Sequence, residues 1–154
     1  MDDWSIISVD QVEKEGGFSV IKLHNGSLIK ALMSIYPEHT WKVWTFKKVP
    51  KNYWSDKKNQ RIFFDWLANK LQVKSVEDWY KVKPSDIINN GGTVLLCDIY
   101  HYSIINALVS VYPEMPLHVW KFDKVPKFYW EEPKNRKSYF DWLFRKSGIF
   151  NGYT

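Results

Sequence analysis

This chain matches itself. Residues 27–71 align with residues 103–147 at a constant offset of 76, with no gap and with 24 identical residues in 45. Ser27, Ala31 and Leu32 meet Ser103, Ala107 and Leu108. Tyr36-Pro37-Glu38 meets Tyr112-Pro113-Glu114, and Val49-Pro50-Lys51 meets Val125-Pro126-Lys127. Tyr53-Trp54 meets Tyr129-Trp130, and Phe64-Asp65-Trp66-Leu67 meets Phe140-Asp141-Trp142-Leu143. Upstream the match continues at an offset of 75, where Trp4 meets Trp79 and Gly16-Gly17 meets Gly91-Gly92. Self-similarity at this period is the mark of a repeat architecture. Two units follow, 1–78 and 79–154. Each is near the lower limit for a domain that folds alone, and shared aromatic positions are the expected answer to that limit. Nine Trp, nine Tyr and nine Phe in 154 residues supply it, because each large ring removes much apolar area from water.

The periodicity predicts a mainly α-helical fold. Ser103 is placed to cap a helix over 104–112 with Ile104, Ala107, Leu108 and Val111 on one face, stopped by Pro113. The first unit repeats this with Ser27, Leu28, Ala31, Leu32, Ile35 and Pro37. Residues 57–71 give the strongest helix, with Phe63, Trp66, Leu67 and Leu71 on one face, and 134–146 is its counterpart. Pro84-Ser85-Asp86 reads as a helix start, and Gly91-Gly92, like Gly16-Gly17, as a helix stop. Val94-Leu95-Leu96 is too short for periodicity to separate helix from strand. Residues 41–54 alternate aromatic and polar side chains around Val49-Pro50 and suggest an extended segment. A minor strand component near 41–46 and 117–122 is therefore left open beside tryptophan-rich helical cores. Trp44, Trp66, Trp120 and Trp142 are expected to be mostly buried.

At these residues the chain resembles a tandem-repeat family of fungal, algal and other eukaryotic microbial proteins. The shared elements are Phe64-Asp65-Trp66-Leu67, Asp78-Trp79-Tyr80, Gly91-Gly92, Tyr36-Pro37-Glu38-His39, Trp44-Thr45-Phe46 and Asn59-Gln60-Arg61. The resemblance covers nearly the whole chain. It implies an architecture and carries no catalytic residues. The chain departs from the pattern at Met115-Pro116-Leu117, where the first unit has His39-Thr40-Trp41, and at Asp98 to Tyr102.

The formal net charge of +5 is unevenly distributed. Residues 1–41 carry −3, residues 42–61 carry +6, residues 62–116 carry −2 and residues 117–154 carry +4. Each unit thus has an acidic helical half and a basic aromatic half. The basic residues are Lys42, Lys47, Lys48, Lys51, Lys57, Lys58 and Arg61 in the first unit. In the second they are Lys121, Lys124, Lys127, Lys134, Arg136 and Lys137. Lys and Arg interleaved with aromatics suit a nucleic-acid surface, since cations neutralise phosphates and rings stack on exposed bases. That makes these thirteen residues the candidate nucleic-acid contacts, with DNA favoured over RNA. Segments 85–91 and 104–112 around a Gly-Gly turn have the size of a helix-turn-helix. Yet 104–112 offers only Asn106 and Ser110 as polar residues, so the basic loop and the helix after it are the better contacts. The alternative is a protein–protein scaffold, in which acidic and basic halves dock unit on unit or chain on chain.

Catalytic patterns are scarce, and no enzyme activity, cofactor or metal is expected. The glycine pairs lack the Lys-Ser or Lys-Thr of a phosphate loop. His24, His39, His101 and His118 have no metal-ligand spacing and do not recur between units. Cys97 lies in an apolar run and reads as a buried, inert thiol, and a single cysteine excludes an internal disulfide. Asp65 and Asp141 are expected to cap or pair within their own units, with Lys51, Lys127, Arg61 or an indole as partner. Glu38 and Glu114 are likewise expected to act locally. No apolar run reaches the roughly 18 residues of a membrane span. The acidic opening Met1-Asp2-Asp3-Trp4 differs from a signal or transit peptide, so an intracellular protein, nuclear or cytoplasmic, is expected.

Overall fold

The computed structural model describes residues 3–148, so Met1 and Asp2 of the acidic opening and 149–154 of the second unit lie outside the described residues. Helix α1 (Val9–Val12) starts at Ser8, whose hydroxyl accepts from the Gln11 N–H while the Gln11 side chain accepts from the Ser8 N–H, the reciprocal capping box. A wide turn over Glu13–Gly17 kinks at Gly16 (φ 92°) and runs into α2 (Phe18–Leu23). Helix α3 (Leu28–Ile35) is capped by Ser27, whose hydroxyl accepts from the Lys30 N–H at 3.3 Å. Tight 3₁₀ turns at Val43–Thr45 and Tyr53–Ser55 lead into α4 (Lys57–Lys70), capped by Asp56.

Residues 76–148 follow a similar order, with a wide turn where the first part has α2. Helix α5 (Val76–Trp79) and α6 (Pro84–Ile87) precede a wide turn Ile88–Gly92, kinked at Gly91 (φ 93°), and a second wide turn Leu95–Ile99. Helix α7 (Ile104–Val111) is capped by Ser103. Turns Val119–Lys121 and Tyr129–Glu131 lead into α8 (Pro133–Lys146). From α3 to α4 and from α7 to α8, every element recurs at the 76-residue spacing read from the sequence. Each glycine pair stops one helical stretch at its first, left-handed residue and lets the next begin.

No strand occurs among the described residues. The extended backbone expected at 41–46 and 117–122 is instead a 3₁₀ turn in each unit. A strand would alternate Val43 and Trp44 between two faces, whereas the turn buries both side chains. The Thr45 N–H and hydroxyl both donate to the Lys42 carbonyl, at 3.0 and 2.7 Å, and hold it closed.

The main core crosses residue 78. It joins Trp44, Trp54, Phe63, Phe64 and Leu67 of the first unit to Trp79, Ile87, Leu95, Leu96, Ala107, Leu108, Val111 and Tyr112 of the second. Phe63 stands edge-on to Trp44 (5.3 Å, 81°) and to Trp54 (5.4 Å, 82°), the arrangement ring quadrupoles favour. Phe64 reaches Trp79 (6.1 Å) and Tyr112 (6.5 Å). A smaller cluster of Ile21, Leu28 and Leu32 gathers Trp4, Val12, Trp41 and Phe46. Of the four matched tryptophans expected to be mostly buried, Trp44 is fully buried and Trp66, Trp120 and Trp142 are covered over most of their surface. Trp44 and Trp120 share a Val-Trp-x-Phe string but differ at the residues around it, and Trp44 is also backed by the turn at Gly91.

Candidate functional site

The thirteen candidate basic residues divide into two groups. Lys57 and Arg61 lie on the face of α4 that meets α7. The Lys57 ammonium donates to the Tyr100 hydroxyl at 2.9 Å and to the Ser110 hydroxyl. Arg61 pairs with Glu114, donates to the Val111 carbonyl at 3.3 Å and lies 4.8 Å above the Tyr112 ring. Lys121 pairs with Glu77 at 2.6 Å and sits over the Tyr80 and Trp142 rings. Lys137 pairs with Asp141 at 2.6 Å, one turn along α8. Lys42 is half-buried.

The remaining eight, Lys47, Lys48, Lys51, Lys58, Lys124, Lys127, Lys134 and Arg136, are exposed. None of these eight takes part in an ion pair among the described residues. Six of them form three matching pairs, Lys48 with Lys124, Lys51 with Lys127 and Lys58 with Lys134. Beside Lys127 the Phe128 ring is exposed, with the ammonium 4.7 Å from its centroid. Phe128 has φ 66°, where the first unit places Asn52 at φ 64°. A bulky residue held in the left-handed region is an outlier.

The helix-turn-helix reading fails on packing. Ile104, Ala107, Leu108 and Val111 bury the apolar face of α7 against the core, and Lys57 occupies its polar Ser110. That leaves Asn106 exposed, too little for a helix that reads a groove.

Asp65 and Glu114 act differently from expectation, while Asp141 pairs within its own unit as expected. Asp65 accepts from the Tyr112 hydroxyl at 2.5 Å, across the units rather than within its own. Burial, then this carboxylate, pushes the Tyr112 hydroxyl far above the usual phenol range. Glu114 also pairs across, and the Arg61 hydrogen bond holds its carboxyl below the usual range. Asp141 pairs within α8. Cys97 is half-buried. No cluster of metal-ligating side chains occurs among the described residues, and no described helix is long and apolar enough to cross a membrane.

A cleft of about 670 Å³ opens on the second unit, lined by Trp120, Lys121, Trp130, Arg136, Tyr139, Phe140 and Trp142. Its rings meet edge to face, Trp120 and Tyr139 at 89° and Trp130 and Tyr139 at 80°. His118 stacks on Trp120 at 4.9 Å, and burial, then the neighbouring Lys121, lowers its pKa. Sequence reasoning missed this cleft, and no local signal marks it, because Phe140-Asp141-Trp142-Leu143 repeats letter for letter a segment whose Phe64 and Leu67 are fully buried. No protein-family model, curated protein or solved structure matches the chain.

Proposed function

We propose that the protein is a nucleic-acid-binding module, DNA ahead of RNA, that contacts phosphates through two exposed lysine segments. The observation that carries this reading is the set Lys47, Lys48, Lys51, Lys58, Lys124, Lys127 and Lys134, exposed and without ion pairs among the described residues. A cation already paired gains little from a phosphate. These seven are uncommitted, and binding would release the counterions condensed on the polymer. Phe128 beside Lys127 adds a ring on which an unpaired base stacks. Such contacts position the protein without reading sequence.

The test is a fluorescence-anisotropy titration of a labelled 20-base-pair duplex at two salt concentrations. Seven phosphate contacts give a slope of log K on log salt of about −6. K48E/K51E/K58E should reduce that slope by about three and leave the circular dichroism spectrum unchanged. Equal binding by wild type and variant, or no binding at low salt, refutes the reading.

A second reading, a protein-interaction scaffold, is favoured by a different observation. The packing that joins the units leaves Tyr36 exposed on the first unit and Trp130, Phe140 and Leu143 exposed on the second.

A further inference from the structure

We infer that the protein associates with a second copy of itself head to tail, the 4–38 segment of one copy docking on the 118–144 face of the next. This inference rests on the scaffold reading and names its partner.

The argument is the joint already present inside the chain. The aromatic face of the first unit is covered by the N-terminal half of the second. Phe64 packs on Trp79 and Tyr112, Asp65 accepts from the Tyr112 hydroxyl, and Arg61 pairs with Glu114. The Trp44 backbone lies so close to Gly91 that a Cβ there would meet the Trp44 carbonyl oxygen at 2.7 Å.

Each partner just named has a counterpart in the other unit that is exposed or half-buried. On the tail, Phe140, Asp141, Lys137 and Trp120 stand where Phe64, Asp65, Arg61 and Trp44 stand. On the head, Trp4, Tyr36, Glu38 and Gly16 stand where Trp79, Tyr112, Glu114 and Gly91 stand. The charges match as well, since residues 1–41 carry −3 and 117–154 carry +4.

Burial reads the same way. Phe64 is 0% exposed and Phe140 63%, Trp54 is 4% and Trp130 39%, and Leu67 is 0% and Leu143 39%. On the head, Tyr36 is 42% exposed where Tyr112 is 6%. The head already has the docked backbone shape, because Tyr36 and Tyr112 both sit at φ −122°, ψ 66°. Gly16 holds the left-handed conformation of Gly91, and a Cβ built there meets nothing within 4 Å. Two side chains of the joint do not carry over, and the first is Lys57, where Pro133 stands and cannot donate as Lys57 does to Tyr100 and Ser110. Arg136 replaces the buried Gln60 that meets Tyr100, so the joint between chains is weaker than the joint within one. Because the two surfaces differ, the contact is heterologous and leads to open chains rather than a closed pair.

The test uses Y36D, which blocks the head, and F140D, which blocks the tail. Both sites are exposed, so both variants should fold, with circular dichroism as control. Sedimentation of the wild type should show mass rising with concentration. Each variant alone should be a monomer, its half-association concentration raised at least about thirtyfold, the loss typical of a central aromatic anchor. A 1:1 mixture should form a heterodimer and stop there. If Y36D still dimerises through tail-to-tail contact, the proposal is overturned. A wild type that stays monomeric also overturns it. In that case, loss by F140D of binding to a defined unrelated protein would preserve the scaffold reading, no effect on any protein association would end both, and loss of duplex binding would assign the cleft to nucleic acid.

Discussion

Gly91→Ala and Gly16→Ala form a pair in which the second variant is the control for the first. Both glycines hold nearly the same backbone, φ 93° and φ 92°, so both substitutions incur the left-handed penalty of an L residue, about 1–2 kcal/mol. Only Gly91 also faces a neighbour, the Trp44 carbonyl oxygen at 2.7 Å and the indole edge at 3.2 Å. Backbone oxygen cannot swing aside as a side-chain tip can. Relief would have to separate the Val43–Thr45 turn from the Ile88–Gly92 turn and loosen the core between the units. Overpacking of that kind costs about 1–3 kcal/mol. Gly16→Ala should therefore lower stability by about 1–2 kcal/mol and Gly91→Ala by about 2–5 kcal/mol. Urea unfolding followed by tryptophan fluorescence measures both, provided the m-values stay equal. Equal destabilisation by the two variants would show that the close approach carries no energy and would refute this account of how the units are joined.

Two further outcomes are expected. Phe128→Asn places in the second unit the residue that the first unit has at the same left-handed position. Thermal unfolding should show a gain of up to about 1 kcal/mol, accompanied by weaker duplex binding; a lower midpoint would contradict the strain argument. His118, with its pKa lowered from 6.5 by burial and by Lys121, takes up a proton less readily in the folded state. The unfolded chain then binds the proton more readily, so this contribution to stability is complete above pH 6.5 and is lost as pH falls below it. Urea midpoints at pH 7.5 and 5.5 should differ for the wild type and differ less for H118Q; an identical pH response in the two proteins would refute the assignment.

Helices α3, α4, α7 and α8 were legible in the sequence because their determinants are local. Ser27 and Ser103 cap, Pro37 and Pro113 stop, and apolar residues recur at helical spacing. The turns at Val43–Thr45 and Val119–Lys121 were not, because a three-residue aromatic run has no periodicity long enough to separate a 3₁₀ turn from a strand. The basic residues were legible as a group but not in their division. Lys57 and Arg61 look like Lys48 and Lys51 until their partners at Ser110 and Glu114, 53 residues away, are known. Trp44 and Trp120 state the limit most directly. The same residue in a shared Val-Trp-x-Phe string is buried in one place and half-buried in the other, and part of the cover on Trp44 is the Gly91 turn of the other unit.

A core that spans the boundary between units sets a timetable for synthesis. When residue 78 has left the ribosome, Trp44, Trp54, Phe63, Phe64 and Leu67 are present but most of their cover is not, since it extends to Tyr112. At about 5–20 residues per second, the 34 residues from Trp79 to Tyr112 take roughly 2–7 s to appear. For that interval a nascent chain displays five large apolar side chains to its neighbours on the same message. A newly made head on one ribosome could then meet the uncovered Trp44–Leu67 face of a chain on the next before that chain has closed its own core.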